Sequence, residues 1–418
     1  MRLRKNQTQL VTGIDIGSTA IRVAAGHVTE SAGRPLIQIM GGVEVPAGGV
    51  HRGMITSIEE TVSSLSNALE RMERLLGVPI EHAWIGISNA QIATQESKGV
   101  VAVAKSNGEI GIDDVERSIE AARTVAPPVN YETLHVLPRN FSVDGQTGIK
   151  DPAGMTGIRL EADTKIIHGL SSHIKNLTKA VYRTGIEIDD LVLSILAAGD
   201  VVTTPRQKEL GTAVVNIGGS TTSMVVYLDG DITHVATFPI GSEHITNDIA
   251  IGLRTSIDVA ERVKIDYGNC IRRDAAKKEK IDLFDIGSDA HEEISKSYIA
   301  EIISARVAEI LERVQKEFLV AGAAGLLPAG VMMTGGGAKL SGLVPFAKDA
   351  LNLPVSLGYP VDIQSISQHI QDVSFSTAVG LVKWGAQLHM SAEKHHGGWL
   401  SGNAFVGKVK EFAKSLMP

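Results

Sequence analysis

The stretch Val11–Ala20 reads VTGIDIGSTA, and a closely similar stretch, Thr212–Thr222, reads TAVVNIGGSTT in the second half of the chain. In each, an apolar run suited to a buried strand ends in a polar residue and a small turn of Gly, Ser and Thr. A second strand pattern follows each turn, over Ile21–Ala25 and Met224–Leu228. Such turns leave backbone N–H groups free to face an anion, and glycine lets the backbone approach it closely. Two of them predict a pair of facing clamps around a nucleotide polyphosphate.

The segments after each hairpin extend the likeness between the two halves. After the first, a third strand pattern at Pro35–Val45 precedes a helical pattern at Ser57–Leu76, whose apolar residues recur at helical spacing. After the second, an Asp229-Gly230 turn leads to a strand at Ile232–Phe238 and an apolar helix from about Glu243. Both halves therefore predict the order β-β-β-α. Two unrelated hairpins with glycine turns remain the alternative on these segments alone.

Length and composition bound the class of protein. The 418 residues suit two large lobes or several subdomains, and the 43% apolar and 21% charged residues are typical of a soluble globular protein. The net charge of −7 and the lack of an aromatic and basic stripe predict no nucleic-acid binding. Cys270 stands alone, which favours a reducing cytoplasm. The N-terminus does not read as a signal peptide, and no apolar run reaches the roughly 18–20 residues that span a bilayer.

Two further elements have the composition of a ligand site. Gly330–Lys339 reads GVMMTGGGAK and leads into a predicted helix at Leu343–Leu351, so a flat ring or a phosphate could lie against its backbone. A plain tight turn is the alternative. Earlier, Val259–Lys264 fits a helix in which Glu261 and Lys264 share one face, either as site residues or as a surface ion pair. The chain has neither a G-x-x-x-x-G-K-[ST] loop nor a Rossmann fingerprint, which argues against those two nucleotide-binding classes.

In their order along the chain, these elements resemble the actin/Hsp70/hexokinase ATPase superfamily, and within it the FtsA family of bacterial cell-division proteins. The most specific part of the resemblance is an inserted region that reads HVLPRNFSVDG at 135–145 and GIKDPAGM at 148–155. It looks like the insert that replaces an actin subdomain in that family. The resemblance covers almost the whole chain. It implies an α/β, two-lobed actin-like (ribonuclease H-like) ATPase fold with an FtsA-type inserted subdomain and a C-terminal amphipathic helix.

The resemblance also implies domain bounds. They are subdomain 1A at 1–83 and 166–200, the inserted subdomain 1C at 84–165, subdomain 2A at 201–255 and 330–374, subdomain 2B at 256–329, a closing helix at 375–390, a flexible linker at 391–403 and a membrane-targeting helix at 404–418.

The ligands that the resemblance implies are ATP and Mg²⁺. The first glycine turn would hold the β- and γ-phosphates, the second would form the opposing clamp, and the triple glycine would lie under the base. Glu261 and Lys264 would contact the ribose or flank the adenine, and Asp15 would reach Mg²⁺ through water. The implied binding residues are Asp15, Gly17, Ser18, Thr19, Asn216, Gly218, Gly219, Ser220, Thr221, Glu261, Lys264, Gly335, Gly336 and Gly337.

The second phosphate motif departs from the superfamily pattern. Asn216 stands where most members carry Asp, and Ser223 stands where many carry another Asp. Losing a carboxylate removes an acceptor-only ligand and one negative charge from a metal shell. Because the backbone clamp carries most of the binding, the departure implies ATP binding with weak or no ATPase activity.

The end of the chain has the pattern of a tethered membrane anchor. Ser391–Asn403 is small, polar and rich in Gly and His, which indicates a flexible linker in which a metal site at His395 and His396 is the weaker alternative. At helical spacing the following segment, 404–418, presents one apolar stripe with lysines beside and opposite it, as interfacial helices do. Packing on the body of the protein is the alternative. The predicted membrane-contacting residues are Phe405, Val409, Phe412, Leu416, Lys408, Lys410 and Lys414.

The resemblance implies partners and a location. The partners are the C-terminal tail of the tubulin-like protein FtsZ, docking within 256–329, other divisome proteins, further copies of this chain in filaments, and an anionic membrane surface. The charged run at 272–280 is either a solvated loop or a docking rim. The location is the cytoplasmic face of the cell membrane at the division site.

Three other functions are weighed against this one. A pilus-assembly protein of the PilM type shares the build, but it would not need its own amphipathic anchor. A small-molecule kinase of the same superfamily needs a carboxylate base in the cleft, and Asn216 and the inserted region argue against it. An Hsp70-type chaperone would need a β-sandwich domain after the nucleotide lobes.

Overall fold

The protein is built from two lobes and an inserted subdomain, and the computed structural model describes residues 9–31, 34–272, 278–288, 291–365 and 367–394. The strands are β1 Gln9–Ile16, β2 Ala20–Ser31, β3 Arg34–Pro46, β4 Val50–His51, β5 Met54–Ile55, β6 His82–Ile87, β7 Ile92–Ala102, β8 Tyr131–Val143, β9 Gln146–Ile149, β10 Arg159–Leu170, β11 Glu187–Leu193, β12 Thr212–Ile217, β13 Thr222–Leu228, β14 Asp231–Phe238, β15 Lys280–Asp282, β16 Glu293–Ser295, β17 Val331–Thr334, β18 Val355–Leu357 and β19 Gln364–Ser365.

Helices cover and connect these strands. The α-helices are α1 Ile58–Leu76, α2 Ile112–Arg123, α3 Ser171–Tyr182, α4 Ser194–Val202, α5 Pro205–Leu210, α6 Ser242–Leu253, α7 Ile257–Tyr267, α8 Lys296–Val320, α9 Leu343–Leu351 and α10 Ser376–Lys394. Short 3₁₀ helices lie at Leu283–Ile286, Gly336–Lys339, Gln368–Gln371 and Val373–Phe375. Within the described ranges, no helix combines the length and the apolar composition that crossing a membrane requires.

The first lobe is a six-stranded sheet in the order β11-β6-β1-β2-β3-β19. β1 and β2 form an antiparallel hairpin that places Asp15 opposite Arg22, and β6 runs parallel to β1. α1 follows the hairpin and the third strand, with its predicted apolar face buried. It begins one residue after the predicted Ser57, because the Ser57 hydroxyl accepts a hydrogen bond from the Glu60 N–H as the helix N-cap.

The second lobe repeats this design in a five-stranded sheet, in the order β14-β13-β12-β17-β18. β12 and β13 form the antiparallel hairpin, and α6 follows β14, so the predicted order β-β-β-α is confirmed in both halves. β17 runs parallel to β12, which places Thr334, just before the triple glycine, opposite Asn216. α9 has the bounds that the sequence predicts. α6, α7 and α8 share one apolar core with the sheet.

The inserted subdomain is a four-stranded antiparallel sheet in the order β7-β10-β8-β9, with α2 against it. It begins later than the predicted boundary at residue 84, because Trp84 to Gly86 pair with β1 in the first lobe. Its last strand, β10, runs past the predicted end at residue 165 and leads directly into α3.

The insert also contacts the second lobe. A bulge in β14 leaves the Thr233 carbonyl outside the ladder, and the buried Lys165 ammonium donates to that carbonyl at 2.5 Å. Burial lowers the pKa of Lys165. Asp231, the first residue of the same strand, forms an ion pair with Lys150 of the insert.

α4 and α10 lie between the two large sheets and share one apolar core with both lobes and the insert. α10 ends at Lys394, four residues beyond the predicted 390, so the predicted linker at 391–403 begins as helix. Ala, Glu and Lys in this segment are good helix formers, which is the physical reason for the difference. The rest of that linker, the amphipathic segment 404–418 and most of the charged run 272–280 lie outside the described residues.

His135 attaches the insert to the first lobe. Its Nε2 accepts a hydrogen bond from the Leu193 N–H at 2.9 Å, and its ring centroid lies 5.9 Å from that of Trp384. Burial lowers the pKa of His135 to about 4. The imidazole must be neutral to accept this bond, so protonation opposes the folded state.

The substitution His135→Gln tests this linkage. As pH falls from about 7 to about 4, His135 takes up a proton in the unfolded wild type but is only partly protonated in the folded form. We therefore expect the wild type to lose about 3 kcal/mol more stability than the variant over this range. Urea unfolding across this pH range measures the difference. His51→Gln, at an exposed histidine, is the control for loss of one imidazole. A wild-type to variant difference that stays constant with pH would contradict the linkage.

Candidate functional site

A cavity of about 510 Å³ lies between the two lobes. It brings together the two hairpin turns, the Glu-x-x-Lys helix and the triple-glycine turn, which come from four separate parts of the chain. Its predicted lining residues are Asp15, Gly17, Ser18, Thr19, Asn216, Gly218, Gly219, Thr221, Glu261, Lys264, Gly335, Gly336 and Gly337. Ser220 is the exception: it is buried, and its hydroxyl donates to the Ser18 hydroxyl of the opposite turn at 2.6 Å.

The two hairpin turns have the same backbone geometry. The Gly17 N–H donates to the Ala20 carbonyl at 3.1 Å, and the Gly218 N–H donates to the Thr221 carbonyl at 2.8 Å. In each turn the polar residue that ends the strand lies two positions before the bonded glycine. The duplication inferred from sequence is therefore present in three dimensions, and both turns face one cavity.

Asp15 lies at the carboxyl end of β1 on the floor of this cavity. Burial raises its pKa to about 6, and the guanidinium of Arg22 beside it partly opposes the rise. The Arg22 Nε in turn donates to a Glu44 carboxylate oxygen at 2.7 Å. Because the Asp15 carboxylate is poorly hydrated, a bound cation would stabilise its charged form.

Asn216 takes the equivalent place in the second lobe. Its amide nitrogen donates to the Thr377 hydroxyl at 3.3 Å, while its amide oxygen lies where a side chain on Gly335 would have to start, 2.1 Å from an added Cβ. Gly335 has φ +85°, which also favours glycine. Ser223 pairs with Asn216 across the hairpin and lines the same floor. This side of the floor is uncharged.

Glu261 and Lys264 form a hydrogen-bonded network in which Lys264 is buried and Glu261 is half-exposed. The Lys264 ammonium, in a residue that is 8% exposed, lies 2.6 Å from a Glu261 oxygen. The Thr246 hydroxyl accepts from Lys264 at 2.8 Å and donates to the same Glu261 oxygen at 2.5 Å. The surface alternative does not hold for Lys264, which α6 covers, whereas Glu261 remains half-exposed.

The triple-glycine turn, Gly335–Gly337, borders open space in the cavity at its middle residue. A Cβ added at Gly336 would have no atom nearer than the Arg22 guanidinium at 4.0 Å, so this face of the turn opens into the cavity. Gly337 instead packs against Ile217, where an added Cβ would lie 2.5 Å from a methyl carbon. Gly336 therefore lines the open cavity, whereas glycine is required at position 337 for packing against Ile217.

Sequence reasoning missed several lining residues. Arg22, Glu44 and Lys339 bring charge to the cavity, and Lys339 pairs with Asp372 at 2.7 Å. Ser194 begins α4, is 2% exposed and has a buried hydroxyl without a hydrogen-bond partner. It has no sequence signal of its own, since a single serine before an apolar helix is common.

These features fit a nucleotide polyphosphate. Ligand pockets commonly enclose about 300–1,000 Å³, and this cavity lies within that range. Both glycine turns line the cavity, a side chain at Gly336 would fill part of it, and the unpartnered Ser194 hydroxyl can pair with a polar ligand. Among the described residues, no group of three or more His, Cys, Asp or Glu side chains could hold a metal ion.

Solved structures with this fold are actin-like. The PilM–PilN type IV pilus biogenesis complex matches at TM-score 0.64 and 16% identity, covering 90% of this chain and 98% of that one. The MreB5 protein of Spiroplasma citri bound to ADP matches at TM-score 0.54 and 12% identity, covering 93% and 99%. The predicted two-lobed actin-like fold is confirmed.

Sequence comparisons give the family. The family model described as cell division protein FtsA matches residues 213–380, and the model of the SHS2 domain inserted in FtsA matches 89–168. The cell division protein FtsA of Bacillus subtilis is 37% identical over 91% of this chain and 84% of its own length. That of Pseudomonas aeruginosa is 34% identical over 91% and 90%. The inserted sheet is thus the FtsA insert, and the chain belongs to the FtsA family of cell division proteins.

Proposed function

We propose that this protein is an ATP-binding actin homologue that polymerises on the cytoplasmic face of the cell membrane at the division site. There it tethers the FtsZ ring and recruits later divisome proteins. The observation that supports nucleotide binding most directly is the pair of equivalent glycine turns facing one cavity from opposite lobes. Family membership supports the cell-division role.

Different residues of the cavity would contact the phosphates, the metal, the ribose and the base of Mg²⁺–ATP. The turns at Gly17–Thr19 and Gly218–Thr221 would bind the phosphates through the backbone N–H groups that follow Gly17 and Gly218, because those two glycine N–H groups already bond within the turns. Asp15 would attract the metal, which keeps much of its water shell. The Glu261–Lys264 pair would contact the ribose or flank the adenine, and Gly335–Gly337 would lie under the base. Bound Mg²⁺ would neutralise phosphate charge.

The floor of the cavity favours binding over rapid turnover. Asp15 is its carboxylate on the first-lobe side, while Asn216 and Ser223 supply only neutral groups on the other. A carboxamide can orient water but accepts protons poorly, and it adds no negative charge for a metal. We therefore propose weak or no ATPase activity.

The substitution Gly336→Val tests nucleotide binding. The added side chain would enter the open part of the cavity, so we expect ATP affinity to fall at least about tenfold while the fold is kept. Titration with a fluorescent ATP analogue measures the affinity, and thermal unfolding without ligand is the control for folding. If the variant bound ATP as tightly as wild type, the base would lie elsewhere.

The substitution Asn216→Asp tests the cause of slow turnover. A carboxylate at this position would lie on the second-lobe side of the cavity floor, where the wild type has only neutral groups, so we expect ATP hydrolysis to rise about tenfold or more. Phosphate release under single-turnover conditions measures it, and Asn216→Ser is the control for loss of the amide. Equal hydrolysis by wild type and the Asp variant would show that another group limits the reaction.

The terminal segment supplies the proposed membrane contact. Full burial of its four large apolar side chains, Phe405, Val409, Phe412 and Leu416, gives roughly 6–12 kcal/mol at most, and folding a short helix takes back much of it. Each of Lys408, Lys410 and Lys414 adds only about 1 kcal/mol near an anionic leaflet. One tail therefore binds weakly and reversibly. Several tails on one polymer bind tightly through effective concentration, so self-association and attachment reinforce each other.

Truncation after Asn403 tests the anchor. We expect the full chain, with ATP, to pellet with vesicles that contain anionic lipid, and the truncated chain to remain in the supernatant. Co-sedimentation measures both forms, and neutral vesicles are the control for the lysine contribution. Equal pelleting of the two forms would remove the anchor from the proposal without affecting nucleotide binding.

The partner surface is proposed from family membership. The small subdomain at 256–329, which contains α7, α8 and the β15–β16 ribbon, would receive the C-terminal tail of FtsZ. Further copies of the chain would add along a filament.

A further inference from the structure

Glu243 joins the two lobes at the mouth of the cavity. The Thr19 hydroxyl, on the first hairpin turn, donates to a Glu243 carboxylate oxygen at 3.0 Å, although the two residues are 224 positions apart. Gly219 of the second turn lies against both, because a Cβ added there would be 1.9 Å from the Thr19 hydroxyl and 2.8 Å from Glu243. One residue from each turn and one carboxylate therefore meet at a single point.

This point allows only one acceptor to be satisfied. A threonine hydroxyl carries a single hydrogen, so Thr19 can donate either to Glu243 or to a phosphate oxygen entering between the turns. Ionised Glu243 would also repel such a phosphate at short range. The N-terminal turn of α6 stabilises the Glu243 carboxylate, and the Glu243 backbone N–H donates to the Gly219 carbonyl at 2.8 Å.

α6 connects this point to the small subdomain. In its middle, Thr246 orders the Glu261–Lys264 pair. Two residues later, both Asp248 oxygens accept from Arg306 of α8, at 2.6 and 2.8 Å. The buried faces of α6 and α8 share one core, and close-packed interiors transmit displacements.

We propose that Glu243 distinguishes ATP from ADP in this cleft, and that α6 passes the outcome to α8 through Asp248 and Arg306. The inference rests on the proposed nucleotide site and adds its regulation. Only a triphosphate is long enough to compete for Thr19. When it does, Glu243 loses its partner in the first lobe, and the first turn of α6 is released from that lobe. ADP leaves the Thr19–Glu243 bond in place.

The substitution Glu243→Gln removes the charge while keeping the shape and an acceptor for Thr19. We expect ATP to bind about tenfold more tightly to this variant than to wild type, and ADP affinity to change less than about twofold. Titrations of the full chain with each nucleotide measure the ratio. Glu209→Gln, at an exposed glutamate on α5, is the control for one unit of net charge. An ATP-to-ADP affinity ratio equal to that of wild type would overturn the role of Glu243.

Hydrogen exchange tests the second half of the inference. In wild type we expect α8, Lys296–Val320, to exchange differently in ATP than in ADP. In Asp248→Asn this difference should shrink at least about twofold while ATP affinity stays within about twofold of wild type. Identical exchange of α8 in both nucleotides would overturn the transmission through α6. If wild type bound neither nucleotide, the proposed function itself would fall, and this inference with it.

Discussion

The close crossing of α4 and α10 between the two sheets fixes the whole arrangement. A Cβ at Gly380 of α10 would lie 2.1 Å from the Ala197 carbonyl of α4, and one at Gly13 of β1 would lie 2.5 Å from the Ala378 carbonyl. Glycine is required at both positions, because a side chain would force α10 away from α4 at Gly380 and away from β1 at Gly13. Since the sheets of both lobes pack on this pair, the crossing sets the separation of the two hairpin turns.

The cavity follows from that separation. Each lobe contributes one glycine turn and one polar residue at the end of a strand. These polar residues differ, because the first lobe supplies Asp15 and the second supplies Asn216. On one side, burial raises the pKa of Asp15 because its carboxylate is poorly hydrated, and a cation bound beside it would stabilise the charged form. On the other, Asn216 is neutral and held by Thr377. A site of this kind suits an anionic ligand that brings its own metal, and for that ligand we propose binding with slow turnover.

Contacts other than the central helices also join the lobes. The insert reaches the first lobe through His135 and the second through Lys165 at the bulged Thr233. Across the cleft, Thr19 bonds to Glu243 at the start of α6. Individual polar hydrogen bonds therefore join the lobes at the edge of the cleft, whereas the crossing of α4 and α10 at its centre is apolar and close-packed. Movement of the lobes is easier at the rim than at the centre.

The sequence by itself determined the hairpins, the repeated β-β-β-α order, the bounds of α9 and the shared face of Glu261 and Lys264. These depend on periodicity, capping and glycine turns, which act within a few residues. Only the tertiary structure decided that Lys264 is buried under Thr246, that Ser220 bonds to Ser18, and that Glu243 bonds to Thr19. Each of these depends on residues far apart in the chain, whose meeting is set by the packing of whole helices and sheets.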